Sequence, residues 1–300
     1  MMSFSLQFVL VLIGTFMIAL VLTPLVRLFS FKIDAVDYPN ARRINTKPMP
    51  SAGGLSIVIA FSIATLVFIP MLTSTTAPIK SYLSYTLPVV GAGWIIALTG
   101  LIDDVKELSA KKKMIGILLA ASLVWFLTDF RLNDFKIPFG GPLLHFEPWL
   151  SYLLTVIWIV AITNAVNLID GLDGLVSGVS IISLVTMGIV SYFFLPVPNL
   201  FLTMTIFVLV ASIAGFFPFN YHPAILYLGD TGALFIGFMI SVLSLQGLKN
   251  ATAVAVVTPM IILGVPITDT FLAIIRRTLS GQKFYKPDRN HLCLLYTSPS

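Results

Sequence analysis

Long apolar runs recur along the whole chain, at residues 4–26, 52–72, 85–102, 114–128, 150–163, 175–195, 201–219, 232–245 and 253–275. A run of about 20 apolar residues crosses a hydrocarbon core of roughly 30 Å, and in lipid each segment must satisfy its own backbone polar groups. The runs therefore predict an all-α fold, a polytopic transmembrane bundle of about nine spans. Composition agrees, with 57% hydrophobic and only 10% charged residues among 300, against roughly 25% charged in a soluble domain. The first run has no basic residues ahead of it and is too long for a signal-peptide core, so it predicts a retained helix. Cys293 is the lone cysteine, which excludes an intrachain disulfide framework and a thiolate metal cluster. No basic stripe is interleaved with aromatics, so the expected partner is the lipid bilayer and not nucleic acid.

Threading nine spans in alternation sorts the loops onto two faces. Fourteen of the 18 lysines and arginines fall on one face, among them Arg42, Arg43, Lys47, Lys106 and Lys111 to Lys113, and four on the other. Basic residues stay cytoplasmic, so the N-terminus is expected to be external. Ten of the 13 carboxylates share the cytoplasmic face. Acidic residues do not set topology, so this bias predicts a cytoplasmic site. The external segment 129–149, with Pro138, Gly140, Gly141 and Pro142, reads as a loop or short hairpin.

Four constellations lie on that cytoplasmic face. Asp103 and Asp104 end the third span, in Gly-Leu-Ile-Asp-Asp-Val-Lys-Glu-Leu-Ser-Ala-Lys-Lys-Lys. Neighbouring carboxylates repel, so either one stays protonated or a cation lies between them, a divalent metal or the lysines. The alternative is a helix end turning into solvent with the lysines as anchors. Asn164-Ala-Val-Asn167-Leu-Ile-Asp170-Gly-Leu-Asp173-Gly-Leu spaces two amides and two carboxylates three residues apart, which on a helix makes one polar stripe. Gly171 and Gly174 permit close backbone approach to a bulky anion. Carboxylates in an apolar run point to function, though an amphipathic interfacial loop is the plainer alternative.

The third constellation, Asn220 to Gly232, places Asp230 between glycines at the start of a span. Asp is a hard ligand suited to Mg²⁺; Thr231 would alternatively cap the helix. Tyr227 is a candidate for stacking on a nucleobase or for anchoring at the interface. The fourth is the loop from Asp37 to Gly54, where Arg42, Arg43 and Lys47 either hold phosphates or mark the cytoplasmic side. Asp269, within the ninth run, is expected to support the site, and a basic tail carries His291.

These motifs, in this order, resemble the polyprenyl-phosphate N-acetylhexosamine-1-phosphate transferases over about residues 37–291. The carriers are the Asp-Asp pair with Leu-Ser-Ala and lysines, Asn-x-x-Asn-x-x-Asp-Gly-x-Asp-Gly-Leu, Leu-Gly-Asp-x-Gly and Pro-Ile-x-Asp-Thr. The resemblance implies an enzyme of a bacterial cytoplasmic membrane that uses Mg²⁺ or Mn²⁺ and admits a homodimer. It would transfer N-acetylglucosamine 1-phosphate from UDP-N-acetylglucosamine to undecaprenyl phosphate with release of UMP. It implies catalytic roles for Asp103, Asp104, Asp170 and Asp173, metal binding by Asp230 and Asn164, and substrate binding by Asn167, Lys113, Tyr227 and His291. Lys-Pro-Asp-Arg-Asn-His-Leu resembles the teichoic-acid and enterobacterial-antigen branch more than the triple-histidine loop of the lipid I synthase.

The chain departs from the family pattern at Asn45, where many relatives have His, and at Ile117, where many have Gln. Cys293-Leu-Leu-Tyr-Thr-Ser-Pro-Ser replaces the expected further histidines. The expected organisation is a single membrane-embedded transferase domain at 1–292, truncated from ten or eleven spans, with a foreign or misassembled tail at 293–300. The rival readings are the phospho-N-acetylmuramoyl-pentapeptide transferase branch and, from another class, an ion-coupled transporter. No related halves and a one-sided distribution of carboxylates count against the transporter.

Overall fold

The computed structural model describes residues 4–39, 47–73, 79–136, 142–193 and 200–250. The ninth apolar run, Asp269, His291, the tail, Arg42 and Arg43 lie outside these residues. Within them the protein is a helical bundle: α1 (Phe4–Lys32), α2 (Gly54–Ile63), α3 (Ile69–Thr73), α4 (Ile79–Lys106), α5 (Ala110–Leu127), α6 (Pro148–Leu168), α7 (Leu175–Phe193), α8 (Leu200–Asn220) and α9 (Gly229–Asn250). A π-helical turn, Ala64–Phe68, joins α2 to α3. Among the described residues six helical segments are long and apolar enough to cross a membrane, and Gly229–Leu245 is a shorter apolar helix. The first eight expected runs coincide with helices.

Two small antiparallel ladders flank the bundle. β1 (Val36–Asp37) pairs with β2 (Met49–Pro50) in the loop between α1 and α2. β3 (Asp134–Lys136) pairs with β4 (Leu143–His145), with Asp134 opposite His145, so the segment between α5 and α6 is a hairpin as expected.

Helix α9 sits at the centre, packed by α2, α4, α6 and α7. Every residue from Ala233 to Leu245 is buried, whereas α1 shows one face as exposed Leu6, Val9, Leu10, Ile13, Met17 and Val21. Lipid tails are as apolar as leucine, so these helices associate by close packing and by polar contacts between them. Small residues make that approach: a Cβ on Gly54 would strike the backbone of Gly232, and one on Gly116 would strike Thr99. Trp158 on α6 adds a polar contact by donating to the Ser241 carbonyl and to Ser244 Oγ on α9, at 3.2 and 3.1 Å.

The centre of the bundle thus delivers the first turn of α9 to the end where α4 and α6 finish. The hairpin lies at the opposite end of α5, whose 18 residues span about 27 Å at 1.5 Å per residue.

Candidate active site

Three helix ends converge there. Successive helical residues point about 100° apart, so Asp103 and Asp104 at the end of α4 reach different neighbours. Asp103 turns toward α5: Oδ2 lies 2.6 Å from Lys113 Nζ, and Oδ1 accepts from the Leu108 backbone N–H at 2.5 Å. Asp104 turns toward α9, where Oδ1 accepts from Asp230 N at 2.8 Å. Its Oδ2 accepts from Thr231 N at 3.0 Å and Thr231 Oγ1 at 2.5 Å. The expected repulsion is relieved by divergence as well as by a lysine.

Asp230, in the first turn of α9, meets the same lysine, with Lys113 Nζ 2.5 Å from Oδ2. Asn167 Nδ2 donates to Oδ1. Lys113 therefore bridges Asp103 and Asp230, and its side chain is 19% exposed. Asn164, one turn earlier on α6, donates instead to the carbonyl of Val160 at 2.8 Å.

The stripe expected of Asn164 to Asp173 is only half helical. Helix α6 ends at Leu168, and Asp170 and Asp173 sit in the turn before α7. Gly174 in this turn has φ +70°, a left-handed conformation that glycine adopts without strain. Asp173 closes it by accepting from Ala224 N at 3.0 Å and lying 2.9 Å from His222 Nδ1. A three-residue polar period fits a helix and a polar turn alike, so the spacing alone did not show where the helix stops.

Asp170 keeps part of its surface open but is hemmed in on most sides. That enclosure, and then the charges of Asp230, Asp104 and Asp173, hold its carboxyl well above the usual carboxylate range. A Cβ at Gly171 beside it would meet nothing within 4 Å.

Backbone bonds fasten the segment before α9 to the end of β2 and the start of α2: Tyr227 N to Pro50 O, Gly53 N to Tyr227 O and Gly54 N to Leu228 O, at 2.9 to 3.0 Å. Tyr227 is half-buried on this strap. His222 and Gly100 also belong to this end of the bundle, without a signal in the sequence. Nothing in the spacing links His222 to Asp173, 49 residues earlier. Gly100 lies one turn before Asp104, and a Cβ there would strike the Asp230 carbonyl and Thr231 N.

The arrangement gathers Asp103, Asp104, Asp170 and Asp230 with Lys113 and Asn167, a polar cluster at one end of an apolar bundle. It is rich in hard oxygen donors and holds a cation between two carboxylates, which suits the handling of phosphate groups.

Comparison with known proteins bears on which phosphate chemistry this is. The family model described as glycosyl transferase family 4 matches residues 86–248. A probable undecaprenyl-phosphate N-acetylglucosaminyl 1-phosphate transferase of Bacillus subtilis is 41% identical over 288 residues, 95% of this chain and 76% of the relative. A decaprenyl-phosphate N-acetylglucosaminephosphotransferase of Mycolicibacterium smegmatis is 32% identical over 287 residues, covering 89% and 70%. A phospho-N-acetylmuramoyl-pentapeptide-transferase of Staphylococcus saprophyticus is 30% identical over 251 residues, covering 79% and 74%. The matched region contains Asp103, Lys113, Asn167, Asp170 and Asp230, so the motifs that met at one end of the bundle are those of a multi-pass membrane enzyme, and the chain belongs to glycosyl transferase family 4.

Proposed function

We propose that this protein transfers N-acetylglucosamine 1-phosphate from UDP-N-acetylglucosamine to undecaprenyl phosphate. An oxygen of the lipid phosphate forms a bond to the sugar-bearing phosphorus, the bond from that phosphorus to the oxygen bridging toward UMP breaks, and UMP leaves. The product is a lipid diphosphate sugar. The observation that carries the reading is the Asp103–Lys113–Asp230–Asn167 cluster at the end of a buried central helix, in a chain 41% identical to a protein named for this activity.

Transfer between two anions needs neutralisation and in-line positioning more than a nucleophilic side chain. Lys113 supplies one positive charge to several carboxylates, so two phosphate substrates would meet an excess of negative charge without a further cation. The donors suit Mg²⁺. Among the described residues no three His, Cys, Asp or Glu side chains are placed to hold one metal ion together; Mg²⁺ commonly takes one or two protein carboxylates and fills its shell with substrate phosphates and water. Asp230 would hold it with a carboxamide oxygen from Asn167 or Asn164, and when bound it would offset charge on the phosphates.

Around it, Asp103 keeps Lys113 in place, Lys113 faces the anions, and Asp170 is a protonatable group beside the open space at Gly171. Tyr227 and His291 are proposed donor-binding residues. The excess of basic residues on the same side supports a cytoplasmic site, nine spans and an external N-terminus. A single domain over residues 1–292 and a homodimer complete the proposal.

The test is release of UMP by the purified protein from UDP-N-acetylglucosamine with undecaprenyl phosphate and Mg²⁺. Turnover should require lipid and metal and be lost in Asp230→Asn. Release only with UDP-N-acetylmuramoyl-pentapeptide would move the protein to the branch of its Staphylococcus relative. Silence with both donors would sink the transferase reading.

A further inference from the structure

Asp104 stands in the reaction-centre motif, yet protein donors engage both of its oxygens. Three donors reach it, Asp230 N, Thr231 N and Thr231 Oγ1. The two amides belong to the first turn of α9 and have no partner within their own helix. An oxygen that accepts from such amides is an N-cap, ordinarily supplied by the residue just before the helix. Here α9 begins at Gly229 and is preceded by Leu228, and neither has a side-chain acceptor. The carboxylate comes instead from α4, and its negative charge also faces the positive end of the α9 dipole.

Backbone packing leaves little room for another arrangement. A Cβ on Gly100 would strike the Asp230 carbonyl, so α4 and the start of α9 touch main chain to main chain. Gly229 has φ +70°, and a Cβ there would strike Ser51 O and Asp104 Oδ2. Asp104 thus fixes the backbone of Asp230, while Lys113 and Asn167 fix its side chain.

We propose that Asp104 is a positioning residue, an N-cap supplied in trans from α4 that aims Asp230 into the reaction centre without itself touching substrate. The proposal rests on the transferase reading, and it divides the Asp-Asp pair by partner: Asp103 holds the Lys113 side chain, and Asp104 holds the backbone at the start of α9. Misplacement of a reacting group by about 1 Å costs about 100-fold in rate, so a cap that sets the position of Asp230 acts on turnover without contacting substrate. Asparagine keeps one acceptor oxygen but presents an NH₂ where the second oxygen accepts.

The test uses the full chain in lipid nanodiscs, with Asp104→Asn, Thr231→Val, their double variant and Asp103→Asn. UMP release gives kcat and KM for both substrates, and hydrogen exchange follows the amides of Asp230 and Thr231. For Asp104→Asn, loss of a cap predicts a kcat about tenfold lower, both KM values within about twofold, and exchange about tenfold faster. Asp103→Asn should abolish turnover and leave that exchange unchanged. The double variant should be no worse than Asp104→Asn, because both changes remove one interaction.

Loss of turnover in Asp104→Asn with unchanged exchange, or losses that multiply in the double variant, would show direct action on substrate and overturn the proposal. If Asp104→Asn does not fold, Thr231→Val removes one donor alone; unchanged kcat and exchange in that variant would overturn it equally. A wild-type protein that releases no UMP would defeat the transferase reading, while exchange would still decide the cap.

Discussion

Lys113 is the side chain on which the reaction centre turns, since its ammonium meets Asp103 at 2.6 Å and Asp230 at 2.5 Å. Replacing it by methionine keeps the length of the stem and removes the charge between two largely buried carboxylates. Breaking such a pair by deleting one partner costs about 3 kcal/mol, the lower end of the usual range because the lysine side chain keeps some solvent contact. Lys113→Met should lower the melting temperature by several degrees and turnover by about 100-fold, measured by thermal scanning and UMP release. An unchanged melting temperature would contradict the bridge.

Asp170 gives a pH-dependent counterpart. Its carboxyl is held above the usual range, so the folded protein keeps a proton that the unfolded chain has released, and stability falls as pH rises between the unfolded and folded values. Asp170→Asn makes the side chain permanently neutral. In metal-free buffer the variant should melt about 2–4 °C above wild type at pH 8, and the two should converge near pH 4. A gap that widens on acidification would mean that Asp170 is stabilised as an anion. At this scale the sequence revealed which residue types matter, since carboxylates and amides in apolar runs stand out. It did not reveal pairings such as Lys113 with Asp230 or Asp173 with His222, which join positions 117 and 49 residues apart.

Among elements, α4 and α9 show how glycine sets the geometry of a helix pair in lipid. Gly100 lies where any side chain would strike α9, whereas a Cβ on Gly91, on the same helix, would meet nothing within 4 Å. Gly100→Ala should therefore force α4 and α9 apart, reducing folded yield and turnover, while Gly91→Ala should leave both near wild type and gain slightly from the better helix propensity of alanine. Equal behaviour of the two variants would refute backbone contact at Gly100. The helices themselves were legible, because each apolar run is long and lipid leaves its backbone no alternative to intrahelical bonding. Their ends were less so. Polar residues at the finish of α6 continue the helical period into a turn, and only the left-handed Gly174 and the bonds of Asp173 to the 222–224 turn mark the break.

For the molecule as a whole, the outstanding question is which compartment the acidic end faces. The hairpin and the Asp103–Lys113–Asp230 cluster lie at opposite ends of α5, so the accessibility of either settles both. In a Cys293→Ser background, Leu143→Cys on the half-exposed hairpin and Lys111→Cys on α5 give one reporter for each face; Leu143 is 50% exposed, and Lys111 is likewise open. A membrane-impermeant maleimide added to intact cells should label Leu143→Cys and spare Lys111→Cys until the membrane is opened. Clustering of lysine and arginine beside the acidic end requires that result, and so does a nucleotide-sugar donor made in the cytosol. The reverse pattern would place the carboxylates and Lys113 outside, beyond reach of UDP-N-acetylglucosamine, and would end the proposed function even with the fold and the family membership unchanged.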